Sequence, residues 1–161
     1  ARSSAIILYD FCKALHIPVT VYGHSTSGNS VELYSYAEFE SIDNDDKYRM
    51  MDIAARGSNR DGAALRFVAE QLIKRQEEVK ILILVSDGQP AAPGYYGSAA
   101  EEDLRGIRQE YRRKGVLFIA AAIGEDKQNI ERIYGDSFMD ITDLNQLPVK
   151  LTAAVKRHMR V

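Results

Sequence analysis

The chain lacks tryptophan and carries one cysteine and four prolines in 161 residues. A single thiol, Cys12, rules out an intramolecular disulfide framework. Its apolar surroundings suit a buried thiol in a reducing compartment, and the cytoplasm is the expected location. Neither sign of charge is in excess. Lys and Arg number 21 against 23 Asp and Glu, a net charge of -2. Such a balance offers no electrostatic footprint for nucleic acid or for an anionic membrane surface. No apolar run approaches the ~20 residues that span a bilayer, and the opening residues lack a signal-peptide pattern. Dinucleotide and Walker lysine loops are missing too, so nucleotide binding has no motif to rest on. His16, His24 and His158 show no ligand spacing and are assigned no chemistry.

What is present alternates between helix and strand. Ala5, Ile6, Leu8, Tyr9, Cys12 and Leu15 recur at spacings of three and four, so the chain opens inside a helix with one buried face. Val19 to Tyr22 reads as a strand, Gly23 to Asn29 as a turn, and Val31 to Tyr34 as the antiparallel return of a hairpin at a sheet edge. Residues 40–60 are polar and irregular. Ala63 to Ile73 has helical spacing, with Lys74 and Arg75 suited to a helix C-terminus. Ile81 to Val85 is an unbroken apolar run, as expected of a parallel strand covered on both faces. A helix over 98–114, a strand over 116–120, a short helix over 127–134, a last strand at Phe138-Met139 and a closing helix over 144–159 follow. This order predicts one α/β domain over 1–161, a doubly wound, mostly parallel, Rossmann-like sheet with one antiparallel edge strand.

Ligands of such sheets bind at the carboxyl ends of the strands. Asp87 stands there, directly after the apolar run and Ser86. Ser58-Asn59-Arg60-Asp61-Gly62 immediately precedes a helix, where hydroxyls and carboxylates also act as plain caps. Together these positions offer the oxygen donors that a hard divalent cation prefers.

Ile81 to Gly88 with its Ser-Asp-Gly ending, and Gly57 to Leu65 ahead of a helix, resemble von Willebrand factor A (VWA) domains. The resemblance extends to the opening helix, to Val-Thr-Val-Tyr-Gly and to the Lys-Gly-Val-Leu-Phe-Ile-Ala-Ala-Ala-Ile-Gly run. Asn59-x-Asp61-Gly62 followed by Ala64-Leu65 is most similar to the cobaltochelatase CobT and nitric oxide reductase activation protein NorD type. The family's metal-ion-dependent adhesion site (MIDAS) joins an Asp-x-Ser-x-Ser loop, a Thr before a helix and an Asp ending a strand. Asp87 matches that Asp and Ser58 matches the Thr position, while in the CobT and NorD pattern Asp61 would stand near the metal instead. Asp-x-Ser-x-Ser occurs nowhere in these residues. In the family it lies just upstream of the opening helix, so the expectation is a domain whose first, central strand is absent from this sequence.

The resemblance implies a metal-dependent protein-binding module rather than an enzyme. It would hold magnesium, or manganese or calcium, and act with an AAA+ ATPase of MoxR-like or chelatase-like type on a larger enzyme. Tyr95 and Tyr96, in the loop beyond Asp87, are the expected partner contacts. A metal-free scaffold is the alternative. Gly23-His24-Ser25-Thr26-Ser27 imitates a hydrolase nucleophile elbow, but the fifth residue is not glycine and no helix follows. Asp43 to Asp46 imitates a calcium loop, yet Tyr48 and Ala54 replace its required Gly and Glu.

Overall fold

A computed structural model of the chain describes residues 1–40, 43–86, 88–123 and 127–159. Its elements follow the expected alternation. α1 (Arg2–Ala14) leads into β1 (Val21–Ser27) and β2 (Ser30–Ala37), then α2 (Asp46–Met50) and α3 (Asp61–Ile73). β3 (Lys80–Ser86) precedes a small ribbon, β4 (Ala91–Ala92) and β5 (Tyr95–Tyr96), which runs into α4 (Gly97–Arg113). β6 (Val116–Ala122), α5 (Lys127–Tyr134), β7 (Phe138–Asp140) and α6 (Leu147–Met159) complete the chain.

β3, β6 and β7 form a parallel sheet in that order, with Ile83 opposite Ile119 and Ala121 opposite Met139. Helices cover both faces, which is why Ile81 to Val85 of β3 and all of β6 are apolar. On one side Leu65, Leu82, Leu104, Ile107, Phe118 and Ile130 pack together from α3, α4, α5 and the sheet. On the other, Ile119, Met139, Leu147 and Leu151 form a second cluster joined by Leu8 and Phe11 of α1.

β1 and β2 make a separate antiparallel hairpin. The chain reverses at Gly28, whose φ of 58° suits the first position of a tight hairpin turn. The expected turn over Gly23 to Asn29 is therefore corrected: Gly23 to Ser27 continue the strand, each paired across the hairpin. Tyr22 meets Phe67 of α3 edge to face at 5.8 Å, which docks the hairpin beside α3. Among the described residues β1 and β3 are not paired.

The acidic stretch at residues 43–46 is tied down by a cation. Arg49 bridges Asp43 and Asp46, and Tyr9 donates to buried Asp46 at 2.9 Å. These contacts stabilise the five-residue α2, which is too short to stand on propensity alone.

Candidate functional site

The polar groups of the rim gather where β1, the start of α3 and the β4–β5 ribbon meet. Thr26 donates its N–H to the Ser58 carbonyl at 2.8 Å, and its hydroxyl accepts the Arg60 N–H at 3.0 Å. Both contacts pin the loop before α3 to the end of β1. Asp61 is the first residue of α3, and the helix has no side-chain cap. Its carboxylate instead meets His24 Nε2 at 2.7 Å and accepts from Asn59 Nδ2 at 3.2 and 3.4 Å. Asp61 is only 3% exposed, so these donors stand in for water around a buried charge.

Asn59 also works outward. Its amide donates to the Gln89 carbonyl, while its side-chain and backbone oxygens accept the Ala91 N–H. Arg60 reaches the Pro93 carbonyl at 2.6 Å and lies over the Tyr95 ring. Asn59 and Arg60 thereby tie down the loop from Gln89 to Tyr95.

Tyr95 and Tyr96 then separate in role. Tyr95 turns inward and donates to Asp103 of α4 at 2.7 Å. Burial, and then this hydrogen bond to a carboxylate, push its phenol well above the ordinary range. The Arg66 guanidinium beside Asp103 holds that carboxyl below its usual value, against burial. Tyr96 is 69% exposed and forms the open part of the rim. A Cβ on Gly62 would collide with both Tyr95 OH and Asp103 Oδ2, so this close approach requires glycine.

The expected ligands fall in different settings. Asp87 lies outside the described residues; its neighbours Ser86 and Gly88 hydrogen-bond to one another at the end of β3. The Ser58 hydroxyl makes no hydrogen bond among the described residues, whereas the Asp61 carboxylate is well supplied. No three His, Cys, Asp or Glu side chains among the described residues converge as a cation cage.

Ser25 is a mid-strand residue opposite Glu32, 5% exposed, with no elbow leading to a helix. His24 is the residue that sequence reasoning missed. Its pairing with Asp61 spans 37 positions, and only the fold brings them together.

A doubly wound α/β domain with a polar rim at its strand ends and an antiparallel edge hairpin defines the VWA fold. Residues 43–159 match the family described as the cobalamin biosynthesis protein CobT VWA domain, and the chain belongs to it. The Bacillus subtilis protein YojO is 25% identical over 97% of this chain, which spans 26% of YojO. Protein NorD of Brucella suis is 33% identical over 57% of this chain, which corresponds to 15% of NorD. The chain is therefore similar to a minor part of each of these longer proteins. Among solved structures, proximal thread matrix protein 1 from the mussel byssus, with a zinc-occupied MIDAS motif, superposes with a TM-score of 0.57. That match has 19% identity and covers 96% of this chain and 43% of the mussel protein, a likeness of fold. No helix among the described residues is long and apolar enough to cross a membrane.

Proposed function

We propose that this chain is a protein-interaction module whose partner binding depends on a divalent cation at the rim. Magnesium is the expected cation, with manganese or calcium as alternatives. Membership of the CobT VWA family is the observation that carries this reading. The donor chemistry fits it: Ser58 offers a hydroxyl with no other hydrogen bond among the described residues, and Asp87 follows Ser86 at the end of β3. These two would hold the cation. Asp61, already engaged by His24 and Asn59, would support it from behind. A bound cation would supply a positive charge in a partly desolvated cleft, able to attract a partner carboxylate.

The partner would be an AAA+ ATPase of the MoxR-like or chelatase-like type, acting in the cytoplasm on assembly or activation of a larger enzyme. Tyr96 would provide contact area, with Tyr95 anchoring the loop that presents it. Binding to a purified MoxR-like ATPase, measured with magnesium and with EDTA, tests this reading. Binding that needs magnesium and fails in Asp87→Ala supports it. Equal binding in EDTA favours a metal-free scaffold, a second reading consistent with a buried Asp61 satisfied by protein donors alone.

A further inference from the structure

The end of the domain away from the rim carries a polar cleft of about 340 Å³. Thr20 and Tyr22 at the start of the hairpin, Glu38 and Phe39 just after β2, and Gln71 and Arg75 at the end of α3 line it. α3 starts at the rim with Asp61 and ends at Ile73, so the length of the helix, ~20 Å, separates the two places. Glu38 holds a charge there that no cation answers. Tyr22 donates to both of its oxygens, at 2.7 and 2.9 Å, and Ser35 donates to Oε1 at 2.6 Å. These donors are neutral hydroxyls, and Glu38 forms no ion pair among the described residues. The neighbouring cations are engaged or solvated. Arg75 lies on the Phe39 ring and bridges Glu40 and Glu77. Lys74 also lines the cleft, but it is exposed and its charge is screened by water.

We infer that this cleft binds the ammonium of a lysine side chain presented by a polypeptide partner, at a site separate from the metal rim. Three acceptors are available for its three N–H bonds. Glu38 Oε1 already takes protons from Tyr22 and Ser35, whereas Oε2 has only a share of the Tyr22 proton. Thr20 donates to the Ala37 carbonyl at 2.7 Å, so its oxygen, 3.4 Å from Oε2, is left to accept. The Gln71 amide, which makes no hydrogen bond among the described residues, supplies the third acceptor. Such a set suits a compact point charge. An arginine fork seeks both oxygens of one carboxylate, and Oε1 is occupied. The Tyr22 and Phe39 rings in the lining suit the methylene stem of a lysine.

Saturation-transfer NMR on the full-length polypeptide in EDTA tests this separately from the metal-dependent reading. The probe is acetyl-Gly-Lys-Gly-amide, compared with its arginine and Nε-acetyl-lysine counterparts and with n-butylamine. The lysine peptide binds saturably, at least fivefold tighter than each of the three. Glu38→Gln keeps the size and the Oε1 acceptor but removes the charge, and weakens the lysine peptide at least tenfold. Gln71→Ala, at a half-buried helix position, weakens it at least threefold with the melting temperature kept. Absence of saturable binding, equal binding of the arginine peptide, or an affinity that Glu38→Gln leaves unchanged overturns the inference. Equal binding of n-butylamine overturns it too, since that marks a free amine rather than a polypeptide as the ligand.

Discussion

His24 Nε2 lies 2.7 Å from Asp61 Oδ1 and joins the edge hairpin to the first turn of α3. The contact places a strand residue behind the loop that carries Ser58 and Asn59. Removing the imidazole leaves a carboxylate that is 3% exposed with Asn59 as its remaining side-chain donor. Leaving a buried charge short of partners costs about 2–4 kcal/mol. His24→Ala is therefore expected to lower the urea midpoint by that equivalent. His24→Gln, whose amide still donates, should recover at least half. Equal losses in both variants would show that Asp61 does not depend on this donor.

Two glycines should respond to alanine with opposite signs. Gly62→Ala drives a methyl into Tyr95 OH and Asp103 Oδ2, and overpacking of this kind costs about 1–3 kcal/mol. Gly106 is exposed on α4 with open space around its missing Cβ, and alanine there gains up to about 1 kcal/mol of helix propensity. Thermal melts of the pair check the sign directly. Only Gly62→Ala should also increase proteolysis in the 89–96 loop, since it displaces the Tyr95 anchor.

Tyr134 stacks on Phe118 with ring centroids 5.5 Å apart, and its hydroxyl is buried with no hydrogen-bond partner among the described residues. Deleting an unsatisfied buried hydroxyl while keeping the ring removes a desolvation cost. Tyr134→Phe should therefore be stabilised by about 1 kcal/mol. A destabilised variant would reveal a partner for this hydroxyl.

Stability should fall at both ends of the pH scale. Asp103 is held below its ordinary value by Arg66, so its contribution is full above about pH 4 and is lost as pH drops through the folded value. Tyr95 is raised by burial and by Asp103, so its contribution is full below about pH 10 and is lost as pH climbs beyond that. Melting temperature against pH should show a plateau between these limits. Asp103→Asn makes the acid limb shallower and Tyr95→Phe does the same to the alkaline one. Unchanged limbs in both variants would separate the pair from the pH response.

The sheet was legible because β3 and β6 are unbroken apolar runs, and the helices because their stripes recur at helical spacing. The hairpin turn was misplaced because Gly23, Ser25 and Ser27 carry turn chemistry, although Ser25 and Thr26 are buried strand residues. α2 escaped notice since five residues are too few to show a period; Tyr9 and Arg49 hold it from outside. Asp61 was conspicuous by its place at a helix start. Its partner was not, because nothing local in the sequence links position 24 to position 61. The inward turn of Tyr95 was hidden for the same reason, as Asp103 lies on the following helix.

In the proposed function this domain binds its partner through a divalent cation held in part by Asp87. Isothermal titration of magnesium into the full-length polypeptide tests it most directly. One saturable site is expected, abolished by Asp87→Ala and weakened by Ser58→Ala, with the fold retained. Absence of saturable binding, or an affinity that Asp87→Ala leaves unchanged, would contradict it.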